Sequence, residues 1–343
     1  MIPSALVSID TTAPRHSLHP DALVAFANRL AKNARHWGKW ARRRNLGAYR
    51  VYDRDVPEFP LAIDCYVGAD SAVGTRVHVQ EIDTGWQQDE TEHDAWLDAV
   101  RSTVAKALAL PPAAIVAKRR AKRHGRDQHT KTGAAGTEFV IVESGLRFLV
   151  NLDAYLDTGL FPAHRALRAL VRERAAGRRV LNLFAYTGSF TVYAAAGGAV
   201  ASDTVDLSNT YLDWAARNFA LNGLYSRQHT LIRADVLPWL DRARVEGRRY
   251  ELIVLDPPAF SNSKAMDGVL DIQRDHALLV KSTRALLAPG GELFFSSNLR
   301  SFKLDPALAA DPACADITAR TLPEDFRDRR IHRAFHIDGS GTR

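Results

Sequence analysis

A doubly wound, mostly parallel α/β sheet preceded by a small α+β unit is the fold class this sequence predicts, on three observations. Beyond Asn151, near-continuous apolar strands alternate with helical stretches: RRVLNLF, VASDTVD, HTLIRAD, YELIVLD and GGELFFSS. That alternation is the texture of a parallel sheet covered by helices on both faces. Ahead of it, short β-branched or aromatic runs are punctuated by Pro and Gly. The length, 343 residues, suits one large domain plus an appendage at ~100–200 residues per domain.

Residues 1–20 lack periodicity and are expected to be flexible. Residues 21–150 form the expected α+β unit. Leu23, Phe26, Ala27, Leu30, Ala34, Trp37 and Ala41 recur at helical spacing and define one apolar stripe, with Lys32, Arg35, Lys39 and Arg43 on the opposite side. The runs YRVYD, LAIDCYV and TRVHVQEI read as strands. A helix follows over about Glu90 to Leu110, stopped by Pro111 and Pro112, then the strand AIVAK. EFVIV and LRFLV, joined by Ser144-Gly145, read as a hairpin. Residues 151–343 carry the alternating pattern.

Composition narrows the class. Hydrophobic residues make up 46% and charged residues 25%, so the chain is neither disordered nor fibrous. Cys65 and Cys314 lie in no CxxC or Cys/His spacing, which argues against a disulfide framework and against bound zinc or another metal. No apolar run approaches the ~18 residues of a membrane span, and the N-terminus lacks the features of a signal peptide. A cytoplasmic location is expected.

The net charge of +7 is not spread evenly. Residues 28–54 carry nine basic residues and one acid, a net of +8, and residues 118–131 carry seven and one, a net of +6, leaving the remainder at -7. Both patches sit in the α+β unit. The first rides on the amphipathic helix (Arg29, Lys32, Arg35, Lys39, Arg42, Arg43). The second (Lys118, Arg119, Arg120, Lys122, Arg123) lies on a glycine-containing loop. Such runs are sometimes only a solvated surface. Their density and confinement point to a phosphate backbone held without reading its sequence.

In a doubly wound sheet ligands sit beyond the C-terminal ends of the strands, at the switch point. The first strand is followed by NLFAYTGSF, Asn182 to Phe190, and the second ends in Asp206 about 20 residues on, where an acid can accept from ribose hydroxyls. The third strand ends in Asp235, and the fourth runs into DPPAF, Asp256 to Phe260. Asp206 alone would equally suit a helix N-cap. The first turn is not GxGxxG: Phe184, Ala185 and Tyr186 stand where glycines would cradle a pyrophosphate. A dinucleotide is disfavoured, and S-adenosylmethionine, which has the ribose and adenine without phosphates, suits the turn. Paired prolines after a buried strand must end it rigidly. Asp256 and the Pro257 carbonyl then become fixed acceptors and Phe260 a stacking plate, as a flat heterocycle with N–H donors requires. The alternative is a strand terminator with a core phenylalanine.

The segments LDTGLF, HR, NLFAYTGSFTVYAAAGGA, VDLSNTYLDWAARNFALNGL, DPPAFSNSK and QRDH, together with FANRLAKNARHWGKWARR near the N-terminus, closely resemble the RlmK-type 23S rRNA methyltransferases. These form the C-terminal half of the fused RlmKL enzymes, and the resemblance covers nearly all of residues 24–337. It implies a class I, Rossmann-like methyltransferase fold, S-adenosylmethionine as cofactor, 23S rRNA or a large-subunit precursor as partner, and methylation of a guanine at N7. By position, Phe184, Ala185, Tyr186, Thr187 and Gly188 would hold the methionyl part, with Asn182 before them. Asp206, Leu207 and Ser208 would take the ribose, and Asp235 and Val236 the adenine edge. Asp256, Pro257, Pro258 and Phe260 would hold the target base. Thr158, Gly159, Phe161 and Arg165 match a segment that closes over the cofactor, with Arg165 the expected partner of its carboxylate. Pro162 and Ala163 stand where the family has a leucine and an acid.

Guanine N7 carries a lone pair and no proton, so placement rather than general-base catalysis should supply the rate. Methylation of cytosine C5 needs a thiolate. Ser296, Ser297 and Asn298 follow the fifth strand instead of a cysteine. The alternatives are methylation of guanine N2 or another RNA base on the same fold, or a non-catalytic RNA-binding factor in ribosome assembly.

Overall fold

In a computed structural model of the chain, residues 16–82, 89–118, 136–155, 157–262 and 268–339 are described. They divide into two compact units. One takes the described residues within 1–43, 49–66 and 75–122, the other those within 44–48, 67–74 and 123–343.

The first unit is built on the predicted helix and strands. Helix α1 (Pro20–Arg43) opens on a proline, which costs nothing at a helix start, and it has Asp21 in its first turn and Arg42 and Arg43 in its last, as the helix dipole favours. It buries Phe26, Leu30, Gly38 and Ala41. A four-stranded sheet runs in the order β1 (Ala48–Asp53), β2 (Leu61–Val67), β3 (Thr75–Glu81), then β4 (Ile115–Lys118). Between β3 and β4 lies α2 (Glu90–Leu108), capped by Asp89, whose side chain accepts from the N–H groups of Thr91 and Glu92. Phe26 stacks on Phe59 at 4.5 Å, and Trp96 and Val100 of α2 complete the core. Residues 16–20 were expected to be flexible with the rest of the N-terminus. Instead His16 is anchored, its Nε2 3.2 Å from Oε1 of Glu81 and its ring 4.0 Å from Trp96. Residues 1–15 lie outside the described residues.

The second unit begins with the hairpin β5 (Glu138–Glu143) and β6 (Leu146–Asn151), paired antiparallel. Ser144 (φ 54°) and Gly145 (φ 82°) are both left-handed, the geometry a two-residue hairpin turn needs. Next come α3 (Arg165–Arg174), β7 (Arg179–Leu183), α4 (Ser189–Ala196), β8 (Ala201–Asp206), α5 (Asn209–Leu221), β9 (His229–Arg233), α6 (Val236–Val245) and β10 (Tyr250–Leu255). The chain closes with β11 (Phe260–Ser261), β12 (Leu270–Asp271), α7 (Ile272–Arg284), β13 (Leu287–Ser297), α8 (Pro306–Ala309), β14 (Cys314–Asp316), α9 (Thr318–Thr321) and β15 (Arg333–Asp338). The hairpin, expected with the N-terminal unit, groups with the second unit. Trp214 of α5 donates to the Leu149 carbonyl at 3.0 Å, and Asn218 accepts from the Leu149 N–H at 2.9 Å, so β6 is fastened to α5.

The seven-stranded sheet has the order β14-β15-β13-β10-β7-β8-β9. Neighbours run parallel from β13 to β9, and β15 is antiparallel to both its neighbours. The central strands are apolar because both faces are covered: β10 is buried at five of six positions. The strand order reverses between β7 and β10, which pair with Leu183 opposite Leu255.

Candidate active site

The reversal brings the turn after β7 beside the segment after β10, where doubly wound sheets hold their ligands. In that turn Phe184 (φ 55°), Tyr186 (φ 51°) and Gly188 (φ 72°) are all left-handed. Two non-glycine residues in this region carry strain of about 1–3 kcal/mol each, and such strain persists only where the surroundings over-determine it. Here they do. The Ala185 N–H donates to the Val205 carbonyl at 3.1 Å, the Tyr186 N–H to Oδ2 of Asp206 at 2.8 Å, and the Asn218 amide to the Thr187 carbonyl at 2.9 Å.

The segment at Thr158 to Phe161 is fastened to the same turn. The Gly159 N–H donates to the Tyr186 hydroxyl at 2.9 Å, and the Thr187 hydroxyl donates to the Gly159 carbonyl at 2.7 Å. Gly159 has φ 95°, and a Cβ there would lie 2.3 Å from the Trp214 ring, so only glycine fits. The Phe161 ring is exposed and lies 5.1 Å from Tyr186. The Thr158 hydroxyl donates to Leu160 within its own loop.

Asp206 ends β8 with its carboxylate half-buried. It accepts from the N–H groups of Tyr186 and Ser208. Ser208, whose Oγ accepts from the Tyr211 N–H, is the N-cap of α5, so the cap reading of Asp206 falls. Burial pushes the Asp206 carboxyl up to about 6, against the pull of backbone N–H groups from Ser208, Tyr186 and Leu207. No cation contributes to that shift. A desolvated carboxylate with only neutral donors suits the hydroxyls of a ribose. Asp235 caps α6 by accepting from the Leu237 N–H at 3.3 Å. Val236 and Phe184 pack on the hydrophobic core, so their side chains are committed there. The half-buried Leu207 follows Asp206.

Two expected cofactor residues are placed elsewhere. Arg165 is buried, with its guanidinium 2.6 Å from Oδ1 of Asp325 and 3.8 Å from Oε2 of Glu143. An arginine drawn into a buried ion cluster with Asp325 and Glu143 is directed away from a ligand carboxylate. Asn182 is also buried, and its amide donates to Thr191 beneath α4, in a polar chain that continues to Thr204. Its side chain serves the packing of α4 on the sheet.

Asp256 follows β10 beside the first turn. Ser296, at the end of β13, donates to its Oδ1 at 2.6 Å, and His164 Nε2 lies 3.5 Å from the same oxygen. Oδ2 has no hydrogen-bond partner among the described residues. Burial raises the Asp256 carboxyl, but the nearby His164 imidazole and the hydrogen bond from Ser296 hold it below the usual carboxylate range. Pro257 is buried and Pro258 partly so. Phe260 is 40% exposed, so it is not a core residue. The sequence reading missed His164 and His332, and it took Ser296 only as a missing cysteine. The HR pair held the signal, but the arginine was chosen where the histidine reaches the site.

On the first unit, Arg29, Lys32, Arg35, Lys39, Arg42 and Arg43 are all exposed, and none makes an ion pair within 4.0 Å among the described residues. Arg35, Lys39 and Arg42 with Ala31, Ala34, Ala107 and Leu108 line a cleft of about 360 Å³. Arg50 is different: it forms a buried pair with Asp64. Lys118 ends β4, and Arg119, Arg120, Lys122 and Arg123 lie outside the described residues. Among the described residues no His, Cys, Asp and Glu cluster is arranged to hold a metal ion, and no helix is long and apolar enough to cross a membrane.

The profile of a family described as S-adenosylmethionine-dependent methyltransferase matches residues 90–333. Over 315 residues the chain is 54% identical to ribosomal RNA large subunit methyltransferase K of Neisseria meningitidis, covering 92% of this chain and 87% of that protein. It is 47% identical to ribosomal RNA large subunit methyltransferase K/L of Methylococcus capsulatus, covering 95% of this chain and 44% of that one, so it spans less than half the length of that K/L relative. Among solved structures, a protein described as an S-adenosylmethionine-dependent methyltransferase from Streptococcus mutans superposes with a TM-score of 0.71 at 24% identity, covering 92% of this chain and 81% of that one. A methyltransferase solved in complex with S-adenosylhomocysteine gives the same values.

Proposed function

Since the chain belongs to the S-adenosylmethionine-dependent methyltransferase family, we propose that it transfers a methyl group from S-adenosylmethionine to N7 of a guanine in 23S rRNA or a large-subunit precursor, in the cytoplasm. The residues present fit the cofactor: Asp206 offers a desolvated acceptor for the ribose hydroxyls, Asp235 an acceptor at the next strand end, and the turn lacks the glycines a pyrophosphate would require. When bound, S-adenosylmethionine supplies an electrophilic methyl group on a sulfonium.

The observation that carries the reading is the Asp256 carboxylate, whose free Oδ2 stands at the switch point beside the cofactor turn. As an ionised acceptor it can take the N1–H or the 2-amino group of guanine, and its negative charge favours the cationic base that N7 methylation produces. Phe260 offers an exposed plate on which a purine can stack. N7 has no proton to lose, so Asp256 acts as an anchor, and in-line placement of the base supplies most of the rate. Ser296 and Ser297, at the end of β13, offer no thiolate for addition to a pyrimidine. The exposed cationic face of α1 would grip the phosphate backbone, with the alanines of its cleft allowing close approach.

The direct test is to incubate the protein with S-adenosylmethionine and 23S rRNA from a strain lacking its gene, then digest and analyse the nucleosides by mass spectrometry. New 7-methylguanosine is the expected product. A different methylated nucleoside, or none, would overturn the assignment.

A further inference from the structure

One imidazole beside Asp256 has no task in the methyl transfer itself. His164 closes the short 3-10 turn Pro162–His164, which Pro162 can open because no N–H is needed there. Its side chain is 7% exposed, its Nε2 lies 3.5 Å from Oδ1 of Asp256, and neither ring nitrogen completes a hydrogen bond. His332 stacks on it, ring centres 5.0 Å apart and planes 22° apart, and Thr321 holds His332 in turn through its Nε2 at 2.8 Å. Burial and then the charge of His164 push His332 down to about 3, so it stays neutral and serves as a plate that orients the His164 ring. Among the described residues no arginine or lysine lies within 4.0 Å of Asp256.

We propose that His164 is a positioning residue for Asp256: with Ser296 it occupies Oδ1, turning the carboxylate so that Oδ2 faces the N–H edge of the target base. An arginine would not serve, because its fork would engage both oxygens at once and leave no acceptor for the base. An unpartnered buried carboxylate would not serve either, since desolvation favours its neutral acid, which presents a hydrogen where the base needs an acceptor. A hydroxyl and an imidazole on a single oxygen keep the charge and free the other oxygen. The 3.5 Å separation is that of a resting site, and catalytic hydrogen bonds commonly shorten when substrate arrives.

The inference rests on the base-anchoring reading of Asp256. Its test compares His164→Asn with His164→Gln in the full chain, because the glutamine amide can reach the position of Nε2 while the asparagine amide cannot. With saturating cofactor, so that Asp206 does not contribute, kcat on 23S rRNA should fall roughly 10-fold to 100-fold in the Asn variant, as loss of a hydrogen bond to a charged group implies. The Gln variant should recover most of it. S-adenosylhomocysteine affinity should be unchanged in both, and the acid limb of the pH profile should move to higher pH, further for Asn. Equal turnover in the two variants, or an acid limb that stays at the wild-type position, would overturn the proposal. Should the Asn variant not fold, the limb of the Gln variant decides by itself. The nucleoside product separates the two ideas: 7-methylguanosine with an unmoved limb removes only the role of His164, whereas a shifted limb with another nucleoside removes only the N7 assignment.

Discussion

The backbone N–H of Tyr186 donates to Oδ2 of Asp206 at 2.8 Å. The strained turn after β7 and the acid that ends β8 are therefore one preorganised feature, and displacing either moves the other.

Cofactor affinity should depend on the ionisation of Asp206. Its carboxyl is pushed up to about 6 by burial, and ribose hydroxyls bond far more strongly to the charged form, so protons compete with cofactor. Titration calorimetry with S-adenosylhomocysteine should show affinity flat well above pH 6 and weakening by up to about tenfold per pH unit below it. Asp206→Asn should bind roughly 10-fold to 100-fold more weakly, with the pH dependence gone. The stability effect has the opposite sign. A folded pKa raised above the unfolded value means that ionisation costs folding free energy above pH 6, and this cost disappears as pH falls toward the unfolded value. The Asn variant should accordingly melt at a higher temperature than wild type at neutral pH.

Asp256→Ala should lose turnover by at least about 100-fold, the scale of removing one preorganised polar contact from an active site. Cofactor affinity should stay near wild type. Single-turnover kinetics with calorimetry on the same preparation would check this, and a variant that fails to bind S-adenosylhomocysteine would place Asp256 in the cofactor site instead.

Arg165→Ala should damage stability and spare the cofactor. Its removal breaks the buried pair with Asp325, and breaking a buried pair costs about 3–5 kcal/mol. Denaturant unfolding should show that loss, while S-adenosylhomocysteine affinity, measured on the folded fraction, should not change. Weaker binding with unaltered unfolding would return Arg165 to the cofactor.

Replacing Arg35, Lys39 and Arg42 together by glutamine should weaken RNA binding and flatten its salt dependence. Each phosphate that is no longer neutralised lowers the slope of log affinity against log salt by about 0.7 to 0.9. Filter binding across a salt series reads that slope directly. An unchanged slope would mean that the exposed face of α1 does not meet RNA.

Periodicity and punctuation made the frame of the fold legible. The apolar stripe of α1, the paired prolines after α2 and the Ser144-Gly145 turn are local signals whose meaning depends on a few neighbours in sequence. The register of strand ends was legible too, because buried parallel strands read as apolar runs and the residue that follows each is thereby located. Asp206, Asp235 and Asp256 were found in this way. Side-chain commitments were not legible. Arg165 and His164 are adjacent in sequence, and nothing local says that the first turns to Asp325 and the second to Asp256. Arg50 looked like one more cation in a basic run, and its pairing with Asp64 belongs to two strands of a sheet.

What the sequence determined by itself is therefore the order of elements, the strand ends that could carry a ligand, and the confinement of positive charge to two segments, since these follow from hydrophobic period, turn chemistry and counting. What only the tertiary structure decided is which polar groups are satisfied and which are left open. Oδ1 of Asp256 is taken by Ser296 and faced by His164, Oδ2 is free, and the amide N–H of Asn182 is given to Thr191. Those outcomes depend on desolvation and on distances of a few ångströms between residues as far apart in the chain as His164 and His332, and no local pattern encodes them.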